Sequence, residues 1–108
     1  MPQIIVRGVS PVLLCKINKE LIDELVAIVE CPRDYFEMEY IHSMAIREGN
    51  IEAAYPFVEV AWFDRGQEIQ DQVAKAITKY MNMLGVASLD IAFTHFEKKN
   101  YYENGEHF

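Results

Sequence analysis

Twice in this chain an extended apolar stretch leads into a single helical stretch and then into a second extended stretch. The first round begins at Gln3–Val9, rich in β-branched residues, which reads as a strand. Ser10-Pro11 follows, a capping residue before a proline suited to the first helical position. Leu14, Ile17, Leu21, Leu25, Ile28 and Val29 then recur at helical spacing, with charged residues between them. Cys31-Pro32 stops this helix, because proline lacks the N–H and clashes with the preceding turn. Phe36–Ile46 alternates as a second strand, with Phe36, Met38 and Tyr40 on one face and Glu37, Glu39 and Ile41 on the other.

The second round repeats the order after a polar turn, Arg47-Glu48-Gly49-Asn50. Phe57–Phe63 is the third strand, with Val58, Val60 and Trp62 on one face and Phe57, Glu59 and Ala61 on the other. Asp64-Arg65-Gly66 is a tight connection to a second amphipathic helix marked by Ile69, Val73, Ala76, Ile77, Tyr80 and Leu84, with Gly85 as its C-terminal cap. Leu89–Phe96 is the fourth strand. The tail, residues 97–108, is polar but carries Tyr101, Tyr102 and Phe108.

Each half puts one helix between two strands, and such a crossover joins parallel neighbours. The expected fold is therefore α/β (α+β) over residues 1–108: a duplicated β-α-β unit, halves 1–46 and 55–96, in which a four-stranded mixed sheet carries two helices on one face. The apolar strand faces lie under the helices. The other face, with Ile5, Arg7, Glu37, Glu39, Ile41, Phe57, Glu59 and Ala61, is bare and too apolar for comfortable exposure, which points to packing between subunits, Arg7 meeting Glu39 or Glu59. A ferredoxin-like arrangement has the same element order. It is disfavoured because the stretch between the second and third strands is long and polar, and the order of strands in the sheet decides between the two.

Charge narrows the function. Ten Lys and Arg against 17 Asp and Glu leave a net charge of −7, which repels nucleic-acid backbones and anionic membranes. No apolar run approaches the roughly 18 residues of a membrane span, and no signal peptide is read at the start, so a cytoplasmic protein is expected. Cys15 and Cys31 bracket the first helix, about 24 Å apart, too far for a disulfide. His42, His95 and His107 form no metal-ligand spacing with them. No nucleophile signature, phosphate loop or cofactor motif is present, so neither metal nor cofactor is expected.

The start Met-Pro-Gln-Ile-Ile-Val, the βαβ-βαβ order and the length resemble the tautomerase superfamily, which includes oxalocrotonate tautomerase and macrophage migration inhibitory factor. Tyr55–Gln67 (YPFVEVAWFDRGQ) and Asn100–Phe108 (NYYENGEHF) resemble more closely an uncharacterised bacterial family within it, the domain of unknown function numbered 1904. The resemblance implies a homotrimer with sites near the subunit boundaries. It also implies a chemistry: loss of Met1 would free the secondary amine of Pro2, an α-amino group titrating near pH 8 and lowered further by desolvation and nearby arginines. A neutral amine moves a proton beside a carbonyl by general acid–base catalysis, while cations hold the enolate oxygen or a substrate carboxylate. The resemblance thus marks Pro2 as the catalytic residue, with Arg65, Arg33 and Phe93 as substrate-binding residues, and a small anionic or carbonyl compound as substrate. The alternative is a non-catalytic oligomeric protein of the same fold that binds a small molecule or serves as a scaffold. Tyr101, Tyr102 and His107 are expected to pin the tail to a neighbouring subunit.

Overall fold

The computed structural model describes residues 2–108. Strand β1 (Gln3–Arg7) is followed by helix α1 (Pro11–Val29), β2 (Glu37–Tyr40), β3 (Met44–Arg47), β4 (Asn50–Ala53), β5 (Phe57–Phe63), helix α2 (Gln67–Met83), β6 (Asp90–Phe96) and two short strands, β7 (Tyr102–Glu103) and β8 (Glu106–His107). The main sheet has the order β2-β1-β5-β6. The first two strands of the chain are parallel neighbours, as are β5 and β6, and β1 and β5 join the two units antiparallel. Adjacent first and second strands exclude the ferredoxin-like order. The duplicated β-α-β sheet is the expected one.

Period two explains the core. Ile4 and Val6 on β1 and Val58, Val60 and Trp62 on β5 are buried, while their sequence neighbours are half-buried on the opposite face. Leu14, Ile17, Leu21, Ile22 and Leu25 of α1 and Val73, Ala76, Ile77 and Met81 of α2 complete the cluster against that face. Lys79 Nζ and Tyr80 Oη of α2 meet Glu24 Oε1 of α1 at 2.6 and 3.3 Å, tying the helices together at their solvent edge.

The helix ends differ in detail from the sequence reading. Ser10 occupies the cap position of α1 without a side-chain hydrogen bond, and the helix stops two residues before Cys31, at a left-handed Glu30 (φ 57°). At the far end of α2, Gly85 takes the left-handed conformation expected of it (φ 87°), and Val86 N–H reaches back to the Met81 carbonyl at 3.1 Å.

The second expected strand needs correction. Phe36–Ile46 is not one strand: β2 ends at Tyr40, and Met44–Arg47 pairs with Asn50–Ala53 in a separate hairpin. Alternation continues through this stretch, so periodicity alone could not reveal the break. The polar turn Arg47–Asn50 is the tip of that hairpin. Its facing residues Ile46 and Ile51 are 73% and 71% exposed, and the arm makes few contacts with the body. It helps stretch the molecule to 44 × 29 × 24 Å, with a radius of gyration of 15.0 Å, against about 13 Å for a compact chain of this length.

The uncovered sheet face carries Ile5, Phe57 and Phe63 among Glu37, Glu39 and Glu59. Arg7 pairs with Glu59 of the same chain at 2.9 Å and lies over the Phe57 ring, 4.6 Å from its centre. One partner expected from sequence is thus met, but within the subunit. The tail likewise pins itself to its own sheet. Phe108 stacks on Phe63 (5.0 Å), and Tyr101 packs edge-on against Phe63 (5.2 Å) and at a tilt against Phe96 (5.0 Å). Tyr102 and His107 stack on each other instead, 4.5 Å apart.

Candidate active site at the Pro2 end of the sheet

The antiparallel β1–β5 register ends at Gln3 opposite Ala61, and one further step of the same register would bring Pro2 opposite Trp62. On the other side, the Pro2 carbonyl accepts the Glu37 N–H at 3.1 Å. Pro2 thus begins β1 between two strands, and its ring is fully buried on the helix-covered face. Its nitrogen is the only atom that could act as a base, and only as a free terminus.

Trp62 is the largest buried side chain in the core. Its ring contacts Phe93 of β6 at 5.3 Å, and the Arg65 guanidinium lies over it at 5.0 Å. Arg65 Nη1 donates to the Phe63 carbonyl at 2.9 Å. It pairs with neither Asp64 nor Glu68, the carboxylates beside it in sequence. Asp64 instead accepts the Gly66 N–H at 2.9 Å, which shapes the turn into α2. Cys31, just past α1, is half-buried at this same end. Burial pushes its thiol pKa up, and the positive charge of Arg65 pulls in the opposite direction.

The four residues singled out from sequence therefore separate into two groups. Arg65 and Phe93 both contact Trp62 directly, and Pro2 lies one residue beyond the last pair of the neighbouring strand, Gln3 opposite Ala61. Arg33 does not join them through any such contact. It opens a short 3-10 turn, and its guanidinium is engaged by Asp23 and by the Lys19 carbonyl (3.2 Å), both on α1. The residue that sequence reasoning left in the core without a site role is Trp62. Its spacing three residues before Arg65 was the available signal, but alternation assigned it only to the buried face.

The surface hollows lie elsewhere. One of about 330 Å³ runs between α1 and β2, lined by Leu14, Cys15, Asn18, Met38 and Tyr40. Another of about 480 Å³ sits at the root of the arm, lined by Arg7, Ile41, Ser43, Met44, Tyr55 and Phe57. Neither includes Pro2. Among the described residues no cluster of His, Cys, Asp and Glu could hold a metal ion, and no helix is long and apolar enough to cross a membrane. Cys15 and Cys31 are both free thiols.

Comparison with known proteins bears on the fold and the family. A crystal structure of a domain of unknown function (DUF1904) from Sebaldella termitidis is 35% identical over all of both chains, with a TM-score of 0.91. A protein of unknown function from Vibrio cholerae is 33% identical over 99% of this chain and 87% of its own, with a TM-score of 0.87. The macrophage migration inhibitory factor-like protein of Entamoeba histolytica shares the fold at 15% identity, over 99% and 98% of the two chains, with a TM-score of 0.73. Among curated proteins, none matches the sequence. The family model for the domain of unknown function DUF1904 matches residues 1–107. The chain belongs to the DUF1904 family and carries the fold of the tautomerase superfamily.

Proposed function

We propose that this protein is a Pro2-dependent keto–enol tautomerase or isomerase acting on a small carbonyl acid, assembled as a trimer. The observation that carries the reading is the convergence at the start of β1. Pro2, whose amine would be basic near neutral pH as a free terminus, precedes Gln3, which pairs with Ala61 next to Trp62, and the Trp62 ring holds an arginine.

In this reading Met1 is removed and the Pro2 amine is exposed beside apolar surroundings that disfavour its charged form. The neutral amine takes a proton from the carbon next to the substrate carbonyl, and the electrons move onto the carbonyl oxygen. The resulting ammonium then returns the proton to a different position, so the net change is isomerisation. Arg65 balances the enolate or binds the substrate carboxylate, and Phe93 with Trp62 forms an apolar wall. Arg33 supplies a second cation after exchanging Asp23 for the substrate. Trimerisation is supported by the uncovered sheet face and by the protruding arm, whose apolar side chains need cover.

A second reading, a non-catalytic oligomeric binding protein of the same fold, is favoured by the full burial of the Pro2 ring and by hollows that lie away from it. Intact mass and turnover separate the two. The proposal expects a chain lacking Met1 that tautomerises phenylenolpyruvate-type substrates. Pro2→Ala is expected to lose roughly 10²-fold or more, the scale of one general base. A chain that keeps Met1, or a Pro2→Ala variant of undiminished turnover, sinks it.

A further inference from the structure

An arginine just beyond a strand end ordinarily reaches into water or pairs with a nearby carboxylate. Arg65 has Asp64 and Glu68 within three residues and pairs with neither. Its guanidinium lies 5.0 Å from the centre of the Trp62 ring, and a 2.9 Å hydrogen bond to the Phe63 carbonyl fixes its rotation. That bond engages one of the five N–H donors of a guanidinium, leaving others to meet a ligand. The platform is rigid, because Trp62 is 0% exposed and is held from another side by Phe93 at 5.3 Å.

We infer that Trp62 is a positioning residue, whose ring holds the Arg65 guanidinium at the end of the sheet where Pro2 begins. Strand alternation requires only a large apolar residue at position 62. A phenylalanine would meet that need without burying a donor, yet the Trp62 Nε1 is buried with no hydrogen-bond partner among the described residues. What tryptophan adds is the strongest aromatic face for a cation. Register and stacking then act together: Trp62 follows Ala61, the partner of Gln3 at the end of the β1–β5 pair next to Pro2, while carrying Arg65 on its ring. That Arg65 meets substrate rests on the proposed function; that Trp62 holds Arg65 is a property of the resting chain and is tested separately.

Cys31 provides the probe: burial pushes its half-buried thiol up, and the positive charge of Arg65 pulls it down, as does that of the N-terminus. In a Cys15→Ser background, Cys31 is the only thiol left. Its alkylation by iodoacetamide is followed against pH, together with far-UV circular dichroism to confirm folding. Removing the charge with Arg65→Gln should raise the thiol titration and slow alkylation at pH 7 roughly twofold, the size expected of one partly screened charge. Trp62→Leu should slow it to the same degree with Arg65 still present. Trp62→Phe, which keeps a weaker aromatic face, should restore the rate in part.

A Trp62→Leu variant that alkylates like the parent while Arg65→Gln is slowed overturns the inference; where the thiol ignores Arg65→Gln, the ring-current shift of the Arg65 protons in the unaltered chain decides. A phenylalanine variant no better than leucine reduces position 62 to a volume filler and overturns it as well. Should Trp62→Leu not fold, the unaltered chain decides. The Arg65 side-chain protons must then resonate upfield of their free positions through the indole ring current, and random-coil positions refute the stack. None of these readouts requires turnover or a free Pro2 amine, so they stand or fall apart from the tautomerase reading.

Discussion

Where β1 ends, the backbone passes so close to its own returning chain that no side chain fits. Gly8 has φ +80°, and a Cβ built there would lie 2.6 Å from the Tyr55 carbonyl oxygen and 2.7 Å from that of Ala54. Both obstacles are backbone, so neither swings away. Gly8→Ala meets a left-handed penalty and a clash together, and its expected cost is about 2–4 kcal/mol, read as a lower midpoint in urea denaturation. Gly49, Gly66, Gly85 and Gly105 have nothing within 4 Å of such a Cβ, so the same substitution there should cost about 1–2 kcal/mol, from backbone conformation alone. Trp62 is the other residue whose context exceeds its type. Truncation to alanine should cost about 3–5 kcal/mol from packing alone, so the milder leucine and phenylalanine changes suit a test of its role.

At the scale of elements, the molecule has two small hairpins that behave in opposite ways. The tail hairpin turns on Asn104-Gly105, both with positive φ (53° and 84°), the geometry that favours a two-residue turn between twisted strands. It is anchored by aromatic packing on Phe63 and by a 3.0 Å bond from Phe108 N–H to the Tyr101 carbonyl. Tyr101→Ala removes three aromatic contacts at once, with Phe63, Phe96 and Phe108. It should cost about 1–3 kcal/mol and open the tail to protease, whereas Tyr102→Ala, at an exposed position, should do neither. Equal protease resistance of the two variants would mean that the tail is held by something other than this cluster. The β3–β4 arm has no comparable anchor within the chain, and an isolated two-stranded hairpin is marginal in water.

For the whole molecule, that contrast predicts assembly. Ile46 and Ile51 face each other on the arm with most of their surface in water, and burying each fully would contribute about 1.5–3 kcal/mol. A lysine at both positions should therefore leave the body folded but lower the sedimentation mass from a trimer to a monomer. A parent chain that already sediments as a monomer would remove both this expectation and the trimeric part of the proposed function. The charge of −7 adds a second lever: added salt should strengthen an assembly of like-charged copies by screening their repulsion.

Local periodicity was enough to identify both helices, the main strands apart from where the second one ends, and the buried face of β5, because period 3.6 and period 2 are written into which residues are apolar. The β-α-β order then limited the sheet to few arrangements, since a crossover helix of this length returns the chain parallel to where it began. Residues beside one another in sequence could also be read for their caps and turns, as at Gly85. What the sequence left open were contacts between residues far apart in the chain. The break after Tyr40 was hidden because two strands in succession alternate like one long strand. The partners of Arg33 and Arg65 were hidden because a flexible cation can reach several groups, and only the packed structure selects Asp23 for one and the Trp62 ring for the other. The twofold β-α-β pattern was local and legible; bringing the Pro2 end of β1 beside the strand that carries Trp62, with Arg65 and Phe93 on its ring, required Gln3 to come into register with Ala61.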